Sequence, residues 1–378
     1  FDGVACAIAV ELGDLSRLAH GNHLAYGLLG LVFDRSWRLL GYQGQAILSL
    51  QALDSLLGGL GAGLFCRLLL RRLACSPAAA VTASLGLAFS YAYWFWSIEA
   101  QVYMLGAVFM ILAADEALAD SPRPWAVGLW QACAVLGHVG HLMFAPAALW
   151  LLARAPRREM APRRYAAVLA GTVALAYVLA GLFCVRPQDF SGLRLWLLGS
   201  AALKLGGEFD WQTGSSATEN LLDWTFMTLR VFSDAMALSG WPQVLAWILS
   251  AAGVATAAAG AWDLSRPARA ALLWLGGYAL LFTSWQPHTI VYRVSDLVPF
   301  WLLIALAIRK SSVKTAWLGL AVAALTLFNA VNLVLPQTAP ERNVVYQEAL
   351  LIKKLTPEES WVATSARGQV YVPYFGHR

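Results

Sequence analysis

Two acidic residues border long apolar stretches, where a carboxylate could act on a substrate at a membrane surface. Asp2 is the second residue of the chain, and Glu99 is the only charge between Arg72 and Asp115. A carboxylate held in such a position can act as a general base on an incoming hydroxyl group. An ionisable residue in so apolar a stretch is a candidate for function. Each acid also has a structural alternative, as the N-cap of a helix for Asp2 and as a capping or orienting residue for Glu99.

Two histidines at the tip of a predicted helical hairpin, His138 and His141, could bind a phosphate or polarise an acceptor. The His-x-x-His spacing of His138 and His141 also suggests a metal, but two ligands with no identified carboxylate make a weak zinc site. We therefore expect no metal and no cofactor. The structural alternative for both histidines is an ordinary place at the membrane interface.

Arg293 is the only basic residue in the short predicted loops near 96–100, 139 and 286–295. Arginine offers a planar set of donors that matches phosphate oxygens, so we expect Arg293 to contact a phosphate. The alternative is a salt bridge to Asp296 nearby. The sequence has no glycine-rich phosphate loop ending in Lys-Ser/Thr, so a P-loop nucleotide site is not indicated.

The composition requires a membrane setting for these residues. Of the 378 residues, 59% are hydrophobic and only 13% are charged, about half the charged fraction of a typical soluble domain. Several apolar runs reach the length of about 20 residues that spans a bilayer. Because these runs are continuous rather than alternating, they favour helices over a barrel. The sequence therefore predicts an all-α polytopic membrane protein, and its net charge of +5 is not evidence of nucleic-acid binding.

The charges of the connecting loops predict the topology. Ten apolar helices are expected at 44–68, 77–95, 101–118, 124–138, 140–154, 165–185, 241–262, 270–285, 296–308 and 315–335. Loops on one side hold 14 of the 27 basic residues, and the positive-inside rule makes that side cytoplasmic. All six histidines and 16 of the 22 acids fall on or near the other side, which also carries the longer stretches 1–43 and 186–240.

The domain organisation follows from the same pattern. Residues 1–335 are expected to form the transmembrane domain, and an upstream helix is expected to precede Phe1. Residues 336–378 are expected to lie on the outer side. There, a helix from Asn343 to Leu355, a turn and a strand at Trp361–Thr364 would begin a soluble α/β module.

Taken in order, these segments resemble GT-C-fold glycosyltransferases, especially the protein O-mannosyltransferase-like branch. The resemblance spans most of residues 1–335 and rests on short motifs: Asp2 at the start of the first outer loop, His23-Leu24-Ala25-Tyr26, the turn from Glu99 to Tyr103, the hairpin tip Gly137–His141, and Tyr292-Arg293. Relatives often have prolines where Gly21 and Asn22 stand here. Gly3 stands where a second acid would make an adjacent acidic pair.

The resemblance implies an inverting transfer of a sugar from a polyprenyl-phosphate donor to an acceptor hydroxyl, on the non-cytoplasmic face of a bacterial inner membrane or its equivalent. It implies catalytic roles for Asp2, as the base, and for Glu99. Arg293, with His141 or His20, would hold the phosphate. The remaining candidates would line the donor or acceptor pocket: His23, Tyr26, Tyr103, His138 and Tyr292. The expected partners are the lipid-linked donor and a protein, lipid or glycan acceptor, with no nucleic acid.

Two other classes of protein fit the same composition. A multi-pass transporter or lipid flippase typically shows repeated halves and intramembrane charges, whereas this sequence shows no evident repeat and Asp54 as its only deep charge. A non-catalytic membrane subunit or scaffold would need no cluster of acids and phosphate ligands on one face.

Overall fold

The computed structural model describes residues 2–155, 160–198, 216–357 and 371–376. Within these ranges every regular element is a helix or a helical turn, and no strand occurs. The prediction of an all-α chain is confirmed for this part of the protein. The strand expected at Trp361–Thr364 lies outside the described residues, and the described part of the tail does not support an α/β module.

Seventeen α-helices are described, several of them extended by short 3₁₀ or π turns. They are α1 (Asp2–Leu12), α2 (Leu15–Leu18), α3 (Leu24–Leu39), α4 (Ala46–Arg72), α5 (Pro77–Phe89), α6 (Tyr91–Ser97), α7 (Tyr103–Ala117), α8 (Pro124–Gly137), α9 (Ala145–Leu152), α10 (Ala161–Ala180), α11 (Phe190–Leu198), α12 (Ala217–Arg230), α13 (Gly240–Ala261), α14 (Arg266–Ser284), α15 (Val294–Ile308), α16 (Ser312–Asn329) and α17 (Val344–Leu355). Each of the ten predicted apolar helices falls on this helical structure.

Five helical segments are long and apolar enough to cross a membrane: Ala46–Arg72, Ala161–Val185, Gly240–Ala261, Ile290–Ile308 and Ser312–Thr338. A sixth is added if the bent pair α5 and α6 counts as one span. The segment containing α10 is only 11% buried within the protein, whereas Ile290–Ile308 is 78% buried. A helix with such an exposed apolar surface needs a lipid environment. The chain is therefore a multi-pass membrane protein.

The predicted helix 77–95 is bent by 65° at Ser90. The amides of Tyr91 and Ala92 donate to the carbonyl oxygens of Phe232 and Val231, at 2.9 and 3.0 Å, instead of continuing the hydrogen bonds of α5. The bend redirects α6, so that the turn after it carries Glu99 toward the start of α7.

One end of the bundle gathers the basic residues. Arg72 pairs with Asp115 (Nε to Oδ1, 2.6 Å), which joins the last turn of α4 to the last turn of α7. Arg309, after α15, pairs with Asp263, after α13 (Nη2 to Oδ2, 2.6 Å). Arg266, at the start of α14, donates to the carbonyl oxygen at the end of α7 (3.2 Å). These contacts bring together four of the five predicted basic loops, and we call this the basic end.

The opposite end, here called the histidine end, contains three helices where the sequence analysis expected a loop over residues 1–43. Helix α1 begins at Asp2, and α3 begins directly after His23. The carboxylate of Asp34 in α3 is buried and accepts from Ser49 in α4 (2.8 Å), which fixes α3 against the first turns of α4. The first stretch is thus a packed helical unit.

The tail returns to this unit. The Tyr374 hydroxyl donates to Glu11 Oε1 in α1 (2.7 Å) and accepts from the Ile47 amide in α4 (3.2 Å). The turn that carries Tyr374 packs on α17 through Gly376, where a Cβ would lie 2.9 Å from the Ala349 carbonyl oxygen. The end of the chain therefore closes over the start of the bundle.

Candidate functional site

The segment before α3 that carries His20 and His23 lies against the turn that follows α8. The Val139 amide at the tip donates to the Asn22 carbonyl oxygen (2.9 Å), and the rings of His20 and His23 stack with their centroids 4.2 Å apart. The His20 Nδ1 atom accepts from the Asn22 amide (3.1 Å), so a neutral His20 carries its proton on Nε2. Two segments more than 100 residues apart thus form one surface, as the assignment of all these histidines to one face predicted.

Two of the predicted tyrosines complete this surface. The ring of Tyr103, at the start of α7, lies 5.3 Å from the ring of His138, and Tyr292 lies 6.0 Å from the same histidine. The two tyrosine rings are 5.9 Å apart in an edge-on arrangement. Aromatic edges and faces of this kind suit both a sugar ring and a packed core.

His141 lies deeper than its neighbour His138. Its Nδ1 atom is 2.7 Å from the Tyr278 hydroxyl on α14, and its ring packs so closely on α7 that a Cβ at Gly106 would overlap Nε2. His141 is 1% exposed. In this conformation it joins α14 to α7, and its predicted phosphate contact stays untested.

A second polar group adjoins the histidines through the turn between α6 and α7. Asp54 is fully buried on α4, and its Oδ2 atom accepts from the Tyr26 hydroxyl (2.6 Å) and from the Gln101 amide (2.8 Å). Within the described residues its other oxygen, Oδ1, has no partner. The sequence analysis weighed Asp54 only as a deep charge and did not select it for the site. Asp54 is the only charged residue between Arg38 and Arg67, but the sequence does not show which groups bond to it.

The start of α1 reaches the same turn. A Cβ at Gly3 would overlap the Ala100 carbonyl oxygen, so the backbone of the first helical turn lies against the residue after Glu99. The start of α1 therefore contacts the residue that follows Glu99, while the Asp2 side chain lies outside the described part of the chain. Burial raises the pKa of Glu99 above its ordinary value, and a hydrogen bond with the Gln51 side chain opposes that rise. A raised pKa suits a carboxylate that takes up a proton near neutral pH.

Arg293 points away from these groups. It is fully buried and pairs through Nε with Asp296, while Nη1 donates to the Trp224 carbonyl oxygen (3.0 Å) and Nη2 to the Thr228 hydroxyl (2.7 Å). Its guanidinium also lies 4.4 Å from the centroid of the Trp224 ring. The salt bridge that the sequence left open as the alternative is therefore formed. The predicted phosphate contact would need these bonds to be exchanged, and it stays a prediction.

The electrostatic setting of the histidines favours their neutral forms. Burial, with smaller contributions from the neighbouring His20 and His138, lowers the pKa of His23 to about 3. The His23 Nδ1 atom is buried and finds no hydrogen-bond partner among the residues that the structure describes. In the described ranges no three His, Cys, Asp or Glu side chains are placed to hold a metal ion.

The structure thus brings together His20, His23, His138, Tyr103 and Tyr292 as one surface, with His141 beneath it. It places Tyr26 and Glu99 next to Asp54 at the edge of that surface. The Arg293 side chain bonds to α12 and to Asp296, while its chain neighbour Tyr292 belongs to that surface. Comparison with known protein families and with curated proteins gives no match for this chain.

Proposed function

We propose that this protein is a membrane glycosyltransferase of the GT-C type. It transfers a sugar from a polyprenyl-phosphate-linked donor to a hydroxyl group of a protein, lipid or glycan acceptor. The positive-inside rule assigns the basic end to the cytoplasm, so the histidine end faces outward from a bacterial inner membrane or its equivalent. A lipid donor reaches this end from the bilayer, and the acceptor reaches it from the aqueous side.

The observation that supports the proposal best is the presence, at the histidine end, of buried polar atoms that have no partner among the described residues, with Asp54 and His23 as the examples nearest the first helices. Asp54 Oδ1 and His23 Nδ1 have no hydrogen bond from any described residue. A buried polar atom costs free energy unless it is hydrogen-bonded, and each such atom in a native protein calls for an explanation such as a ligand or water. In the proposed enzyme, the sugar of the donor or the acceptor is the polar ligand that bonds to these atoms, next to the candidate acids.

In the proposed reaction, the Asp2 carboxylate takes the proton of the acceptor hydroxyl. The acceptor oxygen then forms a bond to the anomeric carbon from the face opposite the phosphate. The bond between that carbon and the phosphate oxygen breaks, and polyprenyl phosphate leaves with the electron pair. Glu99 is proposed to lie on the same side of the site as Asp2. The configuration of the anomeric carbon is inverted.

Hydrogen-bond donors aimed at the leaving phosphate would stabilise its developing charge. His20 fits this role in its neutral form, because its Nδ1 atom is engaged by the Asn22 amide and its proton lies on Nε2. His141 and Arg293 are proposed to assist, Arg293 after exchange of its pairing with Asp296. The tyrosines 26, 103 and 292, with His23 and His138, are proposed to line the pocket for donor and acceptor.

A transporter or lipid flippase is the second candidate, and Asp54 favours it. A buried carboxylate within a membrane-spanning helix typically marks an ion or proton pathway. Asp54 lies in the span Ala46–Arg72 and keeps one oxygen unpaired within the described structure. The two candidates differ in the product: an enzyme consumes the lipid-linked sugar, whereas a flippase moves it intact.

The deciding experiment uses the purified protein in lipid nanodiscs with polyprenyl-phosphate mannose and polyprenyl-phosphate glucose, each labelled in the sugar. We expect release of polyprenyl phosphate from at least one donor. Removing a positioned general base typically costs about 10²–10⁴-fold in rate, so Asp2→Asn should lose this activity by that factor while remaining folded. Asp14→Asn is the matched control, since Asp14 caps α2 at the same end of the protein.

Near-parental turnover by folded Asp2→Asn would remove Asp2 as the base. If neither donor is consumed in nanodiscs but the labelled lipid crosses the bilayer of proteoliposomes, the protein is a flippase and the glycosyltransferase proposal is wrong.

A further inference from the structure

An open cleft of about 480 Å³ lies at the histidine end, apart from the site described above. Its walls are the last turn of α1, the second half of α3 and the segment that leads into α4. None of the histidines or tyrosines of the candidate site lines it. Its volume falls within the range of small-molecule binding sites.

Hydrogen bonds to a buried carboxylate and to the backbone hold one side of the cleft in place. Arg38 donates from Nε to Asp34 Oδ2 (2.7 Å) and from Nη2 to the Gly44 carbonyl oxygen (3.1 Å). Asp34 is 1% exposed, and its other oxygen accepts from the Ser49 hydroxyl (2.8 Å). The Arg38 guanidinium is thus fixed in position and its charge is balanced before any ligand arrives.

The rim, in contrast, presents polar groups that are not used internally. The side chains of Arg35, Gln43 and Gln45 are exposed, and within the described structure none of them has a hydrogen bond or an ion pair. Glu11 uses only Oε1, which accepts from the Ala46 amide (2.8 Å) and from Tyr374 (2.7 Å). The rim therefore offers both hydrogen-bond donors and acceptors.

The balance of charge selects the class of ligand. Glu11 and Asp34 offset Arg35 and Arg38, so the lining has no net charge that would favour an anion such as a free phosphate. The amide side chains of Gln43 and Gln45 can both donate and accept hydrogen bonds, as can the hydroxyl groups of a carbohydrate. We propose that this cleft binds a neutral carbohydrate. Its use as a subsite for a glycan acceptor rests on the proposed function, whereas the binding itself does not.

The test is a titration of the protein in nanodiscs prepared without maltoside detergent, because the maltose headgroup would compete. The probe is α-1,2-linked mannobiose, followed by isothermal calorimetry, with inorganic phosphate and glycylglycine as comparison ligands. Arg35→Ala and Gln45→Ala remove rim groups that have no described internal partner, so both variants should fold normally. Loss of a hydrogen bond from a charged group should weaken binding by about tenfold or more for Arg35→Ala. Arg71→Ala, an exposed arginine at the basic end, is the control for the change in net charge.

Binding of mannobiose that weakens in both rim variants and not in Arg71→Ala supports the proposal. Three results would overturn it: no binding of mannobiose at millimolar concentration, preferential binding of phosphate or glycylglycine, or mannobiose binding that the rim variants leave unchanged. Turnover of a lipid-linked donor is measured separately. Failure of the cleft proposal therefore leaves the proposed function standing, and the reverse also holds.

Discussion

At the scale of single residues, the observed ion pair of Arg293 and its proposed contact with a phosphate can be separated by experiment. The guanidinium is buried against Asp296, Thr228 and Trp224. Removing one partner of a buried ion pair typically costs about 3–5 kcal/mol, because the other charge is left uncompensated. We expect Arg293→Ala to lower the thermal midpoint in nanodiscs strongly, and Arg293→Lys to lower it less.

The control for Arg293 is the double variant Arg293→Ala/Asp296→Ala, which should recover part of the lost stability, since no lone charge remains buried. A single variant as stable as the parent would contradict the ion pair as described. A stable double variant that uses the lipid-linked donor like the parent would instead remove the phosphate contact predicted for Arg293.

His23 predicts a dependence of stability on pH. The folded protein lowers its pKa from the ordinary 6.5 to about 3, so between these values the unfolded chain binds the proton more readily. Stability contributed by neutral His23 is therefore fully present above about pH 6.5 and is lost as the pH falls toward 3.

We expect the thermal midpoint to fall between pH 7 and pH 5 in the parent and to fall less in His23→Gln. His288→Gln, which replaces an exposed histidine, is the matched control. Equal slopes for His23→Gln and the parent would contradict a buried neutral His23.

At the scale of helices, the packing of α13 on α15 depends on one glycine. A Cβ at Gly260 would overlap the carbonyl oxygen of Leu303, and a backbone atom cannot move aside alone. Gly260→Ala should therefore push the two helices apart and cost about 1–3 kcal/mol, as overpacking does. Gly319→Ala on α16 is the matched control, since a Cβ there meets no atom within 4 Å.

Thermal denaturation of both glycine variants checks this contact. The control should be neutral or more stable by up to about 1 kcal/mol, because alanine restricts the unfolded chain and favours the helix. Equal midpoints for Gly260→Ala and Gly319→Ala would show that α13 and α15 are not in backbone contact.

At the scale of the whole molecule, the separation of the basic end from the histidine end predicts the orientation in the membrane. Arg71, at the end of α4, and Arg17, in α2, are exposed at opposite ends. In a variant with the native cysteines replaced, we expect Arg17→Cys to react with an impermeant maleimide in intact cells. Arg71→Cys should react only after the inner face is made accessible, and the reverse pattern would invert the proposed topology.

The sequence by itself determined the class of the protein and the arrangement of its ends. Apolar runs of sufficient length locate the helices because the bilayer requires each span to satisfy its own backbone. The predicted run 44–68 corresponds to α4, for example, and 241–262 to α13. The alternation of Arg-rich loops also predicted the basic end, because charge is a local property that each loop carries with it.

Only the tertiary structure decided which candidate residues meet. The hydrogen bond from the Val139 amide to the Asn22 carbonyl oxygen and the burial of Asp54 against Tyr26 join segments that are distant in sequence. The bend at Ser90 likewise depends on carbonyl groups supplied by residues 231 and 232. Hydrophobic periodicity and charge specify where a helix lies and which end is basic, but not its rotation against a neighbour. That rotation is set by close contacts such as Gly260 on Leu303, and it determines which side chains share a site.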